Sequence, residues 1–412
     1  MKTYDIAVCG GGLAGCGAAI HAARSGRRVL LVERLEMLGG LGTAGCVANF
    51  CAARGGLQGQ GQVFDDIIAR LRDYRAIGEE NGWPVKTNEQ YARVNWTFDH
   101  NYLSLVLQEL ALEAGVSLLY ATDVIGADVR KGRIEAVVLH NRSLQQRISA
   151  DVHIDATGDG VLSRHAGGRA LPDDPALPGV IKPSNMMFMR RGAATTQPPP
   201  AEPVCEDGVE PDYSVWPGGR DQVALKMKLF HRILDTSTGD GYSDAVITMR
   251  KAVPHFASHY MQNKDASSYY AGVAPMLGLR ESVRIEGETI LRIADCRAGR
   301  RFDDAVAYGT FTVDANETAE ILPPYQIPYG SLLVRGTTNC LVVGRCFSAD
   351  RLALSSARTM ATGCLMGQAA GAAASLAAGG ELRSVNAAAV RQELFDASGN
   401  DKTLLQRLGD RP

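Results

Sequence analysis

The sequence predicts an α/β fold in which a Rossmann-like nucleotide-binding domain, made of a parallel sheet and a β-meander, is interrupted by an inserted α+β domain. Three observations support this prediction. The first 33 residues follow a strand–turn–helix–strand pattern with a glycine-rich turn. Three β-prone runs separated by turns lie between residues 116 and 140. A Pro- and Asp-rich segment at 171–183 then precedes a region with new strand and helix patterns.

The glycine-rich turn is the most informative stretch of the chain. An apolar run at residues 5–9 breaks into Gly10-x-Gly12-x-x-Gly15, and a helical segment and a second strand lead to Glu33. Gly10 permits a tight turn, Gly12 lets a pyrophosphate approach the backbone, and Gly15 lets helix and strand pack closely. The helix N-terminus attracts phosphate, and the Glu33 carboxylate is placed to accept hydrogen bonds from a ribose. The glycine pattern alone is weak, but with this context it predicts a dinucleotide site.

Composition excludes several classes of protein. In 412 residues, 43 basic side chains nearly balance 45 acidic ones, which argues against a nucleic-acid or anionic-membrane partner. None of the nine cysteines forms a C-x-x-C pair, so we expect reduced thiols and no metal centre. The chain begins directly with the first strand, which leaves no space for a signal peptide. These features favour a cytoplasmic protein.

The region after Glu33 completes the predicted nucleotide-binding domain. A second glycine cluster at 38–45 suits the close approach of backbone to a flat ligand. Helical spacing follows at 63–72 and 102–114, with meander strands at 116–121, 124–129 and 133–140, and a strand from 152 into a glycine turn. We therefore predict a discontinuous nucleotide-binding domain over 1–170 and 325–412, and a substrate domain over 171–324.

The inserted domain and the return of the chain have their own patterns. We predict a strand at 184–190, an exposed Pro-rich excursion at 192–220, helices at 222–235 and 244–260 (the second kinked or divided by Pro254), and a strand pair at 285–294. The return to the first domain is predicted as a turn at 325–328, a buried strand at 340–345, an Ala/Gly helix at 358–378 and a surface helix at 385–398.

The Ala/Gly helix allows two interpretations. Gly363, Gly367 and Gly371 recur every four residues, as in membrane helix dimers. However, the other side chains are mostly alanine, and Gln368 lies in the middle, so membrane insertion would gain little. We therefore predict no membrane span, and expect the glycines to let this helix press against a neighbouring helix or a cofactor.

Seven segments in order resemble the FAD-dependent oxidoreductase family of the glutathione-reductase-like fold, broadly akin to the fumarate reductase flavoproteins. They are Gly10-Gly-Gly-Leu-Ala-Gly15 with Glu33, Leu38-Gly-Gly-Leu-Gly-Thr-Ala-Gly45, Ile154-Asp-Ala-Thr-Gly-Asp159, Leu279-Arg-Glu-Ser-Val-Arg-Ile285, Ile327-Pro-Tyr-Gly-Ser331, Val343-Gly-Arg345 and Met366-Gly-Gln-Ala-Ala-Gly-Ala-Ala373. The resemblance covers most of the chain.

This resemblance implies FAD as the cofactor, and it carries the family's FAD contacts to matching positions. The ADP half would be held by Gly10, Gly12, Ala14, Gly15, Glu33 and Arg34, with Val124 against adenine through its backbone. Gly40, Thr43 and Gly45 would lie beside the isoalloxazine. The pyrophosphate and ribityl regions would meet Ala156, Thr157, Gly158, Gly344 and Arg345, and the turn from Arg358 to Thr362 would direct the Ala/Gly helix at the flavin. Cys46 offers a hypothetical covalent flavin link, against a simple packed thiol.

The substrate residues are less well defined. Arg280 and Arg284 could clamp a substrate carboxylate, or form structural ion pairs with Glu281 or Glu286. His255 and His259 could share one helix face as acid/base candidates, or be satisfied structural histidines. The family often has two arginines where this chain has Val283-Arg284, and Asp-x-His where it has Asp314-Ala-Asn316. A third departure is the family's Pro-Glu, which His100-Asn101 replaces.

Taken together, the sequence and the resemblance predict a soluble FAD-dependent dehydrogenase or oxidase. It would pass a hydride to the flavin from a small organic substrate, with or without a carboxylate. The alternatives are a reductase of an activated C=C bond and the flavin subunit of an electron-transfer complex. Because no second dinucleotide motif and no C-x-x-C are present, we expect oxygen, a quinone or a protein as electron acceptor. A disulfide reductase is excluded on the same grounds. The sequence leaves open whether the protein forms a homo-oligomer.

Overall fold

The computed structural model describes most of the chain, namely residues 2–53, 57, 59–89, 93–172, 184–190, 209–219, 222–229, 235–263, 267–315, 318–398 and 407–408. The described strands are β1 Lys2–Cys9, β2 Val29–Val32, β3 Asn49–Ala53, β4 Val85–Asn88, β5 Arg93–Thr97, β6 Ser117–Leu119, β7 Asp123–Arg130, β8 Arg133–Asn141, β9 Leu144–Asp155, β10 Ser184–Arg190, β11 Val209–Gly219, β12 Gln222–Leu229, β13 Tyr269–Val273, β14 Ala305–Gly309, β15 Val313–Ala315, β16 Thr318–Glu320, β17 Tyr325–Pro328 and β18 Cys340–Val342. The α-helices are α1 Leu13–Arg24, α2 Gln62–Asp73, α3 His100–Glu113, α4 Val161–His165, α5 Gly239–Asn263, α6 Ile293–Arg297, α7 Arg351–Ala357, α8 Met360–Leu376 and α9 Ala387–Ala397.

A seven-stranded sheet forms the centre of the molecule. Its order is β6-β2-β1-β9-β8-β7, and β18 also pairs with β9. The pairings among β6, β2, β1, β9 and β18 are parallel, whereas β7, β8 and the first part of β9 form an antiparallel meander. The apolar run from Ile6 to Cys9 is fully buried, as expected for a parallel strand covered on both faces. The predicted Rossmann-like sheet with a β-meander is confirmed. The run at 116–121 is not a meander strand, however, because β6 pairs parallel with β2 at the sheet edge and β9 is the third strand of the meander.

The second sheet has the antiparallel order β11-β12-β10-β13, and helix α5 packs on it. Methionine and leucine side chains of β10 and β12 form its core with α5, among them Met187, Leu225 and Met249. The predicted strand at 184–190 is therefore confirmed, and the inserted unit is α+β.

Several predicted elements of this region are wrong. Residues 222–229 are strand β12, because this stretch pairs with β10 and buries Leu225 and Met227; the pairing overrides the helix preference of Leu, Met and Lys. Residues 230–234 of the predicted helix lie outside the described residues. The predicted excursion at 192–220 contains strand β11, and its first part lies outside the described residues. Helix α5 continues through Pro254, whose exposed ring removes only one backbone donor.

The segment that leads back to the main sheet also differs from the prediction. Isolated bridges at Ile285 and Leu291 and the short helix α6 replace the strand pair expected at 285–294. Residues 325–328 form strand β17, which pairs with β14, instead of a turn. Leu291, Val306 and Ile327 pack in the main core with α1 and α8. The exact division into domains at residues 171 and 324 stays a prediction.

Helices α1 and α8 cross in the middle of the main core, and glycines make their close approach possible. A methyl group at Gly17 would lie 2.5 Å from the carbonyl oxygen of Cys364, and one at Gly371 would lie 2.5 Å from that of Ala18. A methyl group at Gly367 would overlap the carbonyl oxygen of Ala14. The prediction that these glycines serve close helix packing is confirmed. No α-helix in the described ranges is long and apolar enough to cross a membrane.

Candidate functional site

The glycine turn between β1 and α1 forms one wall of the site. Gly10 has φ +105°, and a side chain there would overlap the carbonyl of Ala156. A side chain at Gly15 would overlap the carbonyl of Gly10. In contrast, the space beside Gly12 is open, and no side chain caps helix α1 at this residue. The first-turn N–H groups of α1 have no partner inside the helix, so they are available to an anion in that space.

Glu33 follows β2 and lies against this turn. Its Oε2 accepts a hydrogen bond from the Gly11 N–H at 2.6 Å, and its Oε1 accepts one from the Leu35 N–H at 2.8 Å. The side chain is only 6% exposed, and burial raises the pKa of its carboxyl above the usual range. These contacts place the carboxylate at the edge of the open space beside Gly12.

A cavity that is partly open to solvent runs along these residues, and the space between its walls, open solvent included, is about 840 Å³. Its wall contains eleven of the predicted cofactor residues: Gly12, Ala14, Glu33, Arg34, Gly40, Ala156, Thr157, Gly158, Gly344, Arg345 and Arg358. The structure thus brings together segments that lie more than 300 residues apart in the sequence.

The other predicted cofactor residues support the wall or lie apart from it. Gly10 and Gly15 shape the turn described above. Thr43 donates a hydrogen bond to the Leu38 carbonyl at 2.7 Å and so holds the second glycine loop closed. A side chain at Gly45 would press on the Leu41 backbone, and the hydroxyl of Thr362 accepts a hydrogen bond from Thr359 at 3.0 Å. Val124 packs on an apolar cluster of the meander.

Asp155 organises the glycine turn after β9, and sequence analysis did not single it out. Its Oδ1 accepts hydrogen bonds from the Thr157 N–H at 3.1 Å and the Thr157 hydroxyl at 2.7 Å. Its Oδ2 accepts one from the Ser163 N–H at 2.7 Å. Burial raises the pKa of this carboxyl, while the hydrogen bonds act in the opposite direction. The sequence signal that could have identified Asp155 is an acidic residue placed between the apolar residues of a strand and a Thr-Gly turn.

Arg345 bonds to protein groups with all three of its nitrogens. Nε donates to the Gly158 carbonyl at 3.1 Å, Nη1 to the Leu279 carbonyl at 2.7 Å, and Nη2 to Asp159 Oδ1 at 2.8 Å. The guanidinium therefore links two segments of the cavity wall. A contact between Arg345 and a ribityl or phosphate group stays a prediction.

Arg358 lies between helices α7 and α8, and it shares a carboxylate with Arg280. Its Nη2 donates to Asp314 Oδ2 at 3.0 Å and to the Asp314 carbonyl at 2.8 Å, and Arg280 Nη1 lies 3.6 Å from the same Oδ2. Within the described part of the chain, Arg358 Nε has no hydrogen-bond partner. Burial, helped by the positive charge of Arg280, lowers the pKa of Arg358 to about 10. Two cations thus face one anion beside the cavity.

Arg284 has a different environment from Arg280. It is buried and donates to the carbonyls of Ala349 at 3.2 Å and Pro172 at 2.9 Å, and it is not among the residues of the cavity wall. Glu281 forms a 2.6 Å ion pair with Arg351, with side-chain exposures of 1% and 2%. Arg280 is not in the cavity wall either, but it shares Asp314 with the wall residue Arg358, whereas Arg284 and Glu281 belong to the buried interior.

The two histidines of α5 lie far along their helix from the cavity. Tyr242, near the start of α5, is in the cavity wall, whereas His255 and His259 are not. Thirteen residues of α-helix separate Tyr242 from His255, which corresponds to about 20 Å along the axis. The structure therefore does not bring the four predicted catalytic residues together, and an acid/base role for the histidines loses its geometric basis.

The inserted unit contributes wall residues that sequence analysis missed, namely Tyr242, Met276, Leu277 and Leu279. They are ordinary apolar or aromatic residues, and no local pattern distinguishes them from core positions. Cys46 lies outside the wall, 4% exposed, in an apolar cluster with Phe188 and Ala274. Burial raises the pKa of this thiol to about 12, as expected for a packed cysteine.

Phosphate donors at the start of α1 and a ribose acceptor at the end of β2 fit the two kinds of group in a dinucleotide, so the site belongs to the Rossmann-like dinucleotide-binding enzymes. Comparison with known families identifies the cofactor. The chain belongs to the FAD dependent oxidoreductase family, whose model matches residues 5–394. It is an FAD-dependent oxidoreductase, which confirms the resemblance and the FAD prediction.

Individual relatives are distant. The chain is 27% identical over 177 residues to the thiamine thiazole synthase of Desulfosudis oleivorans (strain DSM 6200 / JCM 39069 / Hxd3), and this match covers 41% of the chain and 61% of that relative. A geranylgeranyl bacteriochlorophyll reductase-like protein from Thermoplasma acidophilum has a TM-score of 0.54 at 14% identity, covering 99% of this chain and 84% of that one. The flavin-dependent brominase Bmp2 has a TM-score of 0.52 at 13% identity, covering 97% and 84%. These structural likenesses show the fold.

Proposed function

We propose that the protein is an FAD-dependent dehydrogenase or oxidase acting on a small organic substrate that carries a carboxylate. When bound, FAD supplies the hydride acceptor. The residues of this chain have three tasks: they hold the cofactor, they orient the substrate, and they balance the charge between them.

The cofactor would be held by Glu33 and by the glycine-rich segments at 10–15, 38–45 and 156–158. The open space at Gly12 and the first-turn N–H groups of α1 suit the pyrophosphate, and Glu33 suits the ribose. Helix α8 also begins at the cavity: Met360 and Gly363 are in the wall, and its N-cap Thr359 makes no side-chain cap. The positive end of its dipole would favour electron density on a flavin placed there.

The charge balance of Arg280, Asp314 and Arg358 is the observation that supports a carboxylated substrate. Two guanidinium groups share one carboxylate, which leaves one positive charge at the side of the cavity. Arg358 is largely buried, and among the described residues its Nε has no hydrogen-bond partner. A desolvated guanidinium is a strong carboxylate ligand, because charge-assisted hydrogen bonds are roughly twice as strong as neutral ones.

The direction of the reaction and the substrate class can be tested together by anaerobic mixing. Holoprotein with oxidised flavin is mixed with small hydroxy and amino acids and with the matching amides. We expect bleaching of the flavin absorbance by a carboxylated compound and not by its amide. Reoxidation of pre-reduced protein by an unsaturated acid, without bleaching by any saturated one, would instead identify a C=C reductase and overturn this proposal.

Variants test whether Arg280 and Arg358 bind the substrate carboxylate, apart from any general effect of removing an arginine. Arg358→Met and Arg280→Met should each raise KM for the acid by about 10- to 100-fold, the loss of one charged hydrogen bond. Arg297→Met is the matched control, because Arg297 pairs with Glu320 on the exposed surface of α6. Flavin content is measured for each protein, so that loss of cofactor is not mistaken for loss of substrate binding. Equal KM values for acid and amide in the wild type would refute the role of the carboxylate.

A further inference from the structure

Residues 276–282, here called the strap, connect the inserted unit to the cavity wall. Met276, Leu277 and Leu279 are in the wall. At one end, the Met276 N–H donates to the Ala44 carbonyl at 3.2 Å, and its sulfur lies 3.7 Å from Arg34 Nη2. At the other end, the strap reaches the turn after β9. The strap therefore runs along the cavity from the glycine loop at 38–45 to the glycine turn after β9.

A compact set of polar contacts, here called the latch, fixes the second end. Ser282 Oγ donates to Asp159 Oδ1 at 2.6 Å and lies 3.2 Å from the Gly158 carbonyl oxygen. Arg345 Nη2 donates to the same Oδ1, and its Nη1 donates to the Leu279 carbonyl. The latch thus consists of Asp159, Ser282 and Arg345, and it joins the strap to the turn at Gly158.

The two ends of the strap differ in strength. The latch contains an ion pair at 2.8 Å with both side chains largely buried, in addition to the hydroxyl and carbonyl contacts. The Met276 end has one neutral backbone hydrogen bond and a weak sulfur contact. Charge-assisted hydrogen bonds are the stronger class, so the latch is the firmer of the two ends. Between the ends, the strap is also held by the buried ion pair of Glu281 with Arg351 and by two backbone hydrogen bonds between Gly278 and Ser184, and the latch adds the contact with the turn at Gly158.

We propose that the strap is a clamp for FAD, and that Asp159 and Ser282 are positioning residues which hold it against the bound cofactor. Leu277 and Leu279 exclude water from the cavity, and the latch keeps them there. The strap covers one side of a cavity that is partly open to solvent, so a cofactor lying along the glycine turns leaves faster when the strap is displaced. This inference rests on FAD as the cofactor, and it does not depend on the proposed substrate or reaction.

The test measures release of FAD and not turnover. Purified holoprotein is diluted, and the rise of free-flavin fluorescence gives the dissociation rate; titration of the apoprotein with FAD gives Kd. We expect Ser282→Ala to release FAD about 3- to 10-fold faster, and Asp159→Asn, which leaves Arg345 without its anion, about 10- to 100-fold faster. Ser282→Thr keeps the hydroxyl and should restore most of the wild-type rate.

A matched control exists in the same chain. Ser237 Oγ donates to Asp235 Oδ1 at 2.5 Å in an exposed turn before α5, and neither residue is in the cavity wall. Ser237→Ala should therefore leave the release rate unchanged. Urea unfolding of each apoprotein separates positioning from stability, because loss of the latch should change FAD release far more than the unfolding midpoint.

The inference is overturned if Ser282→Ala releases FAD at the wild-type rate. It is equally overturned if each change in release follows a matching drop in apoprotein stability. Because the serine variants need no change of charge, they give an answer even if Asp159→Asn does not fold. Failure here would leave the anaerobic substrate test untouched, since that test depends on Arg280 and Arg358.

Discussion

The crossing of α1 and α8 leads to a graded prediction for three glycines on one helix. A methyl group at Gly363 would lie 3.9 Å from the Cβ of Ala14, which is ordinary contact. At Gly371 it would lie 2.5 Å from the Ala18 carbonyl oxygen, and at Gly367 it would approach the Ala14 carbonyl oxygen more closely still. Stability of the alanine variants should therefore fall in the order Gly363→Ala, Gly371→Ala, Gly367→Ala.

The size of the effect follows from these contacts. Alanine gains about 1 kcal/mol over glycine inside a helix, so Gly363→Ala should be neutral or slightly stabilising. At Gly371 the helices must separate by roughly 1 Å to restore van der Waals contact, and at Gly367 by more. Both helices are buried along almost their whole length, and overpacking of this kind costs about 1–3 kcal/mol or more. We expect Gly367→Ala to lose at least about 2 kcal/mol net.

Urea unfolding of the apoproteins, followed by circular dichroism, measures this order without interference from FAD. A second measurement, the Kd for FAD, should rise more in Gly367→Ala than in Gly371→Ala, because the contact with Ala14 lies in the first turn of α1, beside Gly12. Gly363 is in the cavity wall, so its variant is compared for stability alone. The reasoning is refuted if Gly367→Ala unfolds at the same urea concentration as Gly363→Ala. It is also refuted if Gly371→Ala is the least stable of the three.

Two other predictions concern buried charges. Because burial raises the pKa of Glu33 above its ordinary value of 4.5, the folded protein binds this proton more tightly than the unfolded chain does. The contribution of Glu33 to stability therefore falls as pH rises from about 4.5 through the raised pKa. Glu33→Gln should flatten the dependence of the urea midpoint on pH in this window. An unchanged pH dependence would contradict the raised pKa. Glu281→Gln should cost about 3–5 kcal/mol, because it leaves Arg351 buried without its anion. Glu320→Gln, in the exposed pair with Arg297, should cost about 1 kcal/mol or less, and equal losses for the two variants would contradict the difference in burial.

Sequence reasoning succeeded where a local pattern corresponds to a physical requirement. The glycines at 10, 12 and 15 are needed by a turn, an open space and a close contact, so their spacing, together with the flanking strands and helix, predicts the site. Glu33 could be placed because it follows a strand of clear apolar pattern. The spacing of Gly363, Gly367 and Gly371 likewise predicted close packing, since one face of the helix had to lack side chains.

Sequence reasoning failed where contacts between segments distant in the sequence decide the structure. Strand β12 contains Leu, Met and Lys, which favour helices, and only its pairing with β10 and β11 makes it extended. The cavity wall includes Tyr242 and Met276 because the inserted unit packs beside the glycine turns, and no local signal carries that information. The sharing of Asp314 by Arg280 and Arg358 joins three separate segments, so the sequence could propose Arg280 but not its partner.

The close pairing of α1 with α8 also has a consequence during synthesis on the ribosome. Helix α1 is made well before α8, and it has no polar face to leave in water, since nearly all of its residues are buried in the finished fold. Its partner starts at Met360, so at 5–20 residues per second the nascent chain waits about 20–70 s for it. Throughout that interval an apolar helix and an incomplete cofactor site are exposed together. The cavity wall is therefore complete only after α8 has been made, and until then α1 is a natural client for a chaperone.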